Sequence, residues 1–218
     1  MAADATYRPP HAYEVGNQRL AYEVLFVCTG NVCRSPAAER LVRRHVDFAV
    51  AGIAGLSGVN VSSAGTGALV GEPISPPMAA LIAAEGADAD HFLARQLSPA
   101  IVRDADLVVT MTNRHRSDTV AMVPAAVQRT FVLGELAHML HGVEPDDVSA
   151  ESGPATSTAE RLRTLVMIAK RNRTPGVDPD EDIVDPYGRS KTIYAQSFQQ
   201  IREALEQILR LAVPFHAT

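Results

Sequence analysis

The stretch Cys28-Thr29-Gly30-Asn31-Val32-Cys33-Arg34-Ser35-Pro36 holds the residue types of an anion-binding nucleophile site. Cys28 offers a thiol, the next five residues can close a tight loop, and Arg34 and Ser35 stand where a helix would begin. Backbone N–H groups at a helix N-terminus attract phosphate. The same partial positive charge stabilises a thiolate and brings cysteine pKa values from about 8.5 down to roughly 3.5–7.5. Arg34 can grip two phosphate oxygens with its planar fork, and the amides from Thr29 to Ser35 can hold the rest of the anion. Rival chemistries lack residues. A structural zinc site needs four ligands, and the chain has only two cysteines, Cys28 and Cys33. A nucleotide-binding loop needs Gly-x4-Gly-Lys-Ser/Thr, and no such lysine follows. An inert, buried Cys28 is the remaining alternative.

Such a site needs a strand before it and a helix after it. Tyr22–Cys28 carries the apolar run Val24-Leu25-Phe26-Val27 and predicts a buried strand. Ser35 can cap a helix over Pro36–Val50, with Pro36 at its first position. A glycine-rich connection, Ala51–Gly58, leads to a second strand, Val59–Ala64, and then a helix over Ser75–Gly86. Ser98-Pro99 opens a short helix. Asp106–Met111 reads as a third strand, followed by a helix over Asn113–Met122, a strand at Thr130–Leu133 and a helical turn or two over Gly134–Leu140. Gly142–Pro154 is acidic and loop-like. Ser157-Thr158-Ala159-Glu160 is a capping box for a helix that stops near Pro175-Gly176. An acidic loop, Asp178–Asp185, precedes a last helix over Ser190–Leu211. Strands alternating with helices imply a parallel sheet covered on both faces, with ligands beyond the carboxyl ends of its strands. The Cys28 loop falls at that edge.

With these residues in view, the chain resembles the low-molecular-weight protein tyrosine phosphatases of bacterial type. Their signature Cys-x5-Arg-Ser, at the end of the first strand, is matched by Cys28, Arg34 and Ser35. Asp185-Pro186-Tyr187 resembles the family's Asp-Pro-aromatic acid loop, in the family's order, nucleophile first and acid last. Ser63-Ala64-Gly65-Thr66, Ala94-Arg95-Gln96-Leu97 and Val109-Thr110-Met111-Thr112 resemble further family segments. The resemblance implies a three-layer αβα fold with a four-stranded parallel sheet, flavodoxin-like in type. It forms a single phosphatase domain over 21–213, behind a flexible lead-in at 1–20. It also implies a metal-free, cofactor-free hydrolysis through a cysteinyl phosphate. In that scheme Cys28 is nucleophile, Arg34 a phosphate clamp, Asp185 the general acid, and Ser35 a donor to the thiolate. Cys33 has two readings: a small apolar filler that needs no function or, as the same resemblance implies, a redox partner that shields Cys28 through a reversible disulfide.

The resemblance also has departures. Members often carry a histidine two positions before the Ala-Arg pair, supporting the loop asparagine. Here Phe92 stands there and His91 is one place off, which removes the usual support for Asn31. The segment near 143–181 is longer than the family usually has, and its helix reads as added packing or an interaction surface. Asp178, Asp180, Glu181 and Asp182 could suggest a cation site, but a solvated loop is the commoner outcome of such a run.

For the substrate, Tyr187 supplies one aromatic wall, while Ala51–Asn60 has no aromatic to form the opposite one. Val32 stands where a phosphoarginine-hydrolysing branch carries threonine, which favours phosphotyrosine-type esters. Arsenate reductases on this scaffold relay electrons through further cysteines, and Thr110–Asp118 has none. A non-catalytic phosphate-binding module is the rival outside enzymology, although both Cys28 and Asp185 are present.

The bulk properties agree with such an enzyme. The 218 residues are 46% hydrophobic and 21% charged, an ordinary globular mix. A formal net charge of −5 supplies no general attraction to nucleic acid or anionic membrane. No apolar run approaches the ~20 residues of a membrane span. Met1 to Asn17 lacks the apolar region of a secretory signal. A cytoplasmic phosphatase acting on a phosphorylated protein is the expectation, because a reactive thiol stays reduced in the cytosol.

Overall fold

A computed structural model of the chain describes residues 21–52, 58–153, 157–173 and 181–213. The lead-in expected at 1–20 lies outside the described residues, as do 53–57 of the glycine-rich connection, the Pro175-Gly176 helix stop and Asp178–Asp180. Four parallel strands, β1 (Tyr22–Cys28), β2 (Val59–Gly65), β3 (Leu107–Thr110) and β4 (Thr130–Val132), form one sheet in the order β2-β1-β3-β4. The chain turns to one side of β1 to make β2 and crosses to the other to make β3. The C-terminal end of β1 is therefore the topological switch point at which open α/β sheets bind ligands.

Alternation along the strands separates two cores. Val24 and Phe26 of β1, with Leu107 and Val109 of β3, face the larger core. Helices α1 (Arg34–Gly52), α2 (Pro76–Ala84), α5 (Leu133–Met139), α7 (Thr158–Asn172) and α8 (Lys191–Ala212) cover that face. Leu25, Val27 and Val108 point the other way, against Leu97, Val102, Val123 and Ala126. Those partners come from α3 (Pro99–Asp104), the end of α4 (Asn113–Met122), a 3-10 stretch at Pro124–Arg129 and the loop before α3. This is the three-layer αβα fold expected.

One expectation is corrected. The segment Gly142–Pro154, read as an acidic loop, contains helix α6 (Pro145–Ser152). Pro145 suits its first position, Asp147 accepts from the Glu144 N–H at 2.9 Å, and two acids sit in the positive first turn. A single fully buried side chain, Val148, anchors it, so no apolar period marks it in the sequence. The expected capping box of α7 is present, with Glu160 N–H donating to Ser157 Oγ at 3.3 Å and Ser157 N–H to Glu160 Oε2 at 3.0 Å.

Helices α6 and α7 are packed into the domain through Arg161. Its buried guanidinium donates to the carbonyl of Leu211 in α8 at 2.9 Å, to Ser149 Oγ at 3.0 Å and to the Pro145 carbonyl at 3.2 Å. Leu162 and Leu165 of α7 belong to the larger core.

Candidate active site

Strand β1 delivers Cys28 to the sheet edge, and α1 begins six residues later at Arg34. Between them the chain passes through Asn31 at φ 54°, a left-handed conformation that asparagine tolerates better than most residues. Asn31 is fully buried and both polar atoms of its side chain are engaged. Its Oδ1 accepts the Arg95 backbone N–H at 2.8 Å, which fixes which way the amide faces. Its Nδ2 then donates to Ser35 Oγ at 2.9 Å and to Ser63 Oγ at 2.8 Å. Ser63 passes its own proton to Glu39 Oε2 at 2.6 Å.

Each serine oxygen already accepts from Asn31, so the Ser35 hydroxyl proton is free to point at Cys28 Sγ, 3.0 Å away. Asn31 therefore does not depend on the histidine missing at Phe92: Ser63, Glu39 and the Arg95 backbone support it. Phe92 is buried beneath the Arg40 guanidinium, 5.6 Å from its ring centroid.

Arg34 is 4% exposed, and Asp185 on the opposite rim is half exposed. Arg34 Nη2 lies 2.8 Å from Asp185 Oδ2, and Nη1 donates to the Ile183 carbonyl at 3.2 Å. Its Nε is buried with no hydrogen-bond partner. An orphaned donor on a buried guanidinium costs stability. It fits a residue whose remaining partner is an anion entering the cavity.

That cavity, of about 160 Å³, is lined by Cys28, Thr29, Gly30, Val32, Cys33, Arg34, Gly67, Leu69, Asp185 and Tyr187. The nucleophile loop, the acid loop and Tyr187, predicted from separate parts of the sequence, meet around one opening. Leu69, which the sequence reading missed, lines the cavity together with Tyr187, and among the described residues none of Ala51–Asn60 does. The Leu69 segment is laced to the nucleophile loop: Thr66, Gly67 and Leu69 donate backbone N–H bonds to the carbonyls of Cys28, Thr29 and Gly30 at 2.9–3.0 Å.

His115 was also missed. It is buried in the first turn of α4, with Nε2 2.8 Å from Thr29 Oγ1 and Nδ1 2.8 Å from Thr112 Oγ1. Burial first, and then the nearby Arg34 charge, push its pKa down to about 4. The ring is neutral at physiological pH and holds Thr29 as a fixed strut. Only its spacing from the Thr112 helix cap hints at this in the sequence.

Cys33 and Cys28 are both free thiols. Cys33 Sγ lies 3.1 Å from Ser75 Oγ and 3.7 Å from the Tyr194 hydroxyl. Burial pushes its pKa up, against the hydrogen bonds from Ser75 and Tyr194. The acidic run before Asp185 is no solvated loop where it is described. Asp182 accepts from the first residue of α4, and Glu181 pairs with His138 at 3.0 Å. Among the described residues no group of His, Cys, Asp and Glu side chains is arranged to hold a metal ion, and no helix is long and apolar enough to cross a membrane.

The low molecular weight phosphotyrosine protein phosphatase profile matches residues 23–151, more than half of the 218-residue chain. The chain belongs to this family. That match contains the whole Cys28–Ser35 loop and ends before Asp185. Among relatives, a probable low molecular weight protein-tyrosine-phosphatase, EpsP of Ralstonia nicotianae, is 37% identical over 113 residues, covering 52% of this chain and 71% of that protein. The low molecular weight protein-tyrosine-phosphatase Wzb of Escherichia coli K12 is 33% identical over 135 residues, 62% of this chain and 85% of that protein. Among solved structures, the tyrosine phosphatase Wzb from Escherichia coli K30 with sulphate superposes with a TM-score of 0.58 at 22% identity, covering 85% of this chain and 94% of that one. The YwlE arginine phosphatase from Geobacillus stearothermophilus gives 0.58 at 25% identity, covering 86% and 90%.

Proposed function

We propose that this member of the phosphatase family hydrolyses phosphotyrosine-type aryl phosphate esters in proteins, through a phosphoryl group carried on Cys28. The observation that carries the reading is the convergence of the Cys28 thiol, the partnerless Arg34 Nε and the Asp185 carboxyl on one cavity. In the first step Cys28 Sγ attacks phosphorus and the bond to the leaving oxygen breaks as that oxygen takes the Asp185 proton. Arg34 and the amides of Thr29 to Ser35 hold the three equatorial oxygens and stabilise developing charge. In the second step Asp185, now a carboxylate, takes a proton from water as that water attacks phosphorus. The S–P bond breaks and the electrons return to sulfur as the thiolate, held by the Ser35 hydroxyl. No step calls for a metal or a cofactor.

Substrate choice follows from the walls. Tyr187 and Leu69 both line the opening and offer apolar surface to an aryl ring. Val32, buried at the cavity floor, has no hydroxyl to bond a guanidinium, so we favour phosphotyrosine over phosphoarginine. The partner is then a phosphorylated protein. We read residues 21–213 as one phosphatase domain with α6 and α7 inserted near 143–181. We place it in the cytoplasm, where thiols stay reduced.

Cys33 we assign as a redox partner. A peroxide oxidises the Cys28 thiol to a sulfenic acid with release of water; the Cys33 thiol then condenses with it to a disulfide, releasing a second water. With excess peroxide an unprotected Cys28 sulfenic acid is oxidised further to the irreversible sulfinic acid, so activity should return with dithiothreitol in the wild type and be lost permanently in Cys33→Ala. Equal recovery by both would remove the assignment.

The main test is turnover of p-nitrophenyl phosphate and phenyl phosphate. Cys28→Ser should abolish both activities while the circular dichroism spectrum is kept. Asp185→Ala should lower kcat/KM by about 10²–10⁴ for phenyl phosphate and less for the better leaving group. Retained activity in Cys28→Ser would overturn the reading.

A further inference from the structure

The acid loop is seated on the rest of the domain by contacts that the proposed chemistry does not itself use. Ile183 N–H donates to the Met111 carbonyl at 2.9 Å, at the end of β3. Val184 N–H donates to Gln200 Oε1 of α8 at 3.1 Å. Asp182 Oδ1 accepts the backbone N–H of Asn113 at 2.7 Å and lies 3.4 Å from Asn113 Nδ2. Asn113 is the first residue of α4, so the Asp182 carboxylate also meets the positive end of that helix. On its other side the loop meets α5 closely: a Cβ on Gly134 would stand 2.6 Å from both the Cβ and the carbonyl oxygen of Glu181.

The same first turn of α4 holds the nucleophile loop. His115, two residues after Asn113, grips Thr29 next to the nucleophile and Thr112 at the helix cap. One helical turn thus binds both halves of the site, the acid loop through Asp182 and the phosphate cradle through His115. Only Ile183 and Val184 separate Asp182 from Asp185, and Pro186 stiffens the far side by restricting Asp185 to extended conformations. A tilt at Asp182 is therefore passed to the acid with little chance to relax.

We propose that Asp182 is a positioning residue, which through the first turn of α4 sets the reach of the Asp185 carboxyl over the leaving-group oxygen. This rests on Asp185 being the general acid. Misplacing a catalytic group by one ångström can cost about a hundredfold. The quantity kcat/KM reports the steps up to loss of the leaving group and not the later hydrolysis that Asp185 also assists, so in kcat/KM the loss scales with the leaving oxygen's need for a proton. A residue that merely supports the fold would slow every ester alike.

The experiment compares phenyl phosphate, a poor leaving group, with 2,4-dinitrophenyl phosphate, which needs almost no protonation. Asp182→Ala should lower kcat/KM on phenyl phosphate about tenfold or more, and on the dinitrophenyl ester by no more than about twofold. Asp182→Asn keeps an oxygen that can accept from the Asn113 N–H and should restore most of the phenyl phosphate rate. That variant also keeps the test open should Asp182→Ala fold poorly. In an Asp185→Ala background, adding Asp182→Ala should change neither rate further. Equal losses on both esters, or a further loss on phenyl phosphate in the Asp185→Ala background, would overturn the proposal and leave the acid assignment standing. Asp185→Ala with no leaving-group dependence of its own would instead overturn the acid assignment, and the role of Asp182 with it.

Discussion

His115 offers a quantitative test of how the nucleophile loop is held. Its ring is nearly inaccessible to solvent, and burial with the Arg34 charge lowers its pKa from 6.5 to about 4. In the unfolded chain the ring titrates near its ordinary value, so between pH 6.5 and pH 4 the unfolded state binds the extra proton and the folded state does not. Stability is therefore lost as pH falls through that window. Linkage at 1.36 kcal/mol per pH unit gives a loss of about 2 kcal/mol by pH 5 and about 3 kcal/mol by pH 4, relative to pH 7. His115→Gln removes this proton while leaving a side chain able to reach Thr29. Urea unfolding of both proteins, followed by circular dichroism at pH 7, 6, 5 and 4, isolates the term, because the other titrating groups cancel in the difference. The wild type should lose about 2 kcal/mol more than the variant by pH 5. A difference that stays constant with pH would refute the buried, neutral strut.

Two further substitutions test other parts of the architecture. Gly65→Ala would drive a Cβ into the Thr29 carbonyl oxygen and to 3.0 Å from the Asn31 N–H. It should cost about 1–3 kcal/mol of stability and lower kcat/KM by displacing the cradle; wild-type stability and rate would contradict that packing. Arg161→Ala removes a donor from the Leu211 carbonyl, from Ser149 Oγ and from the Pro145 carbonyl, of which Pro145 keeps the Ser149 hydroxyl. It should cost about 3 kcal/mol in urea unfolding, with kcat/KM well below the transition held within about twofold because none of these groups lines the cavity. An unchanged unfolding midpoint would remove Arg161 as the tie between the inserted helices and α8.

What could be read in the sequence was what local chemistry writes there. Tyr22–Cys28 and Asn113–Met122 match the structure end to end because an apolar run and a threonine cap mark them. The Cys28–Ser35 loop and Asp185 were legible because their residue types have few other uses together. Helix α6 was hidden, since its capping acids read as loop and one buried valine makes no period. The rest of the site depends on distant partners. Leu69 is an ordinary leucine until its segment pairs with the nucleophile loop, and His115 lies 86 positions from the threonine it holds. The support for Asn31 was sought at Phe92, the place the family resemblance suggested. It lies in Ser63 and Glu39, which no local pattern connects.

The central claim is that Cys28 carries the phosphoryl group, and it can be observed directly. Asp185→Ala, mixed with p-nitrophenyl phosphate and quenched with acid within the first turnover, should yield a peptide bearing one phosphoryl group on Cys28, with p-nitrophenolate released in a burst of one equivalent per active site. Phosphate on any other residue, or steady turnover with no burst and no modified Cys28, would contradict the account.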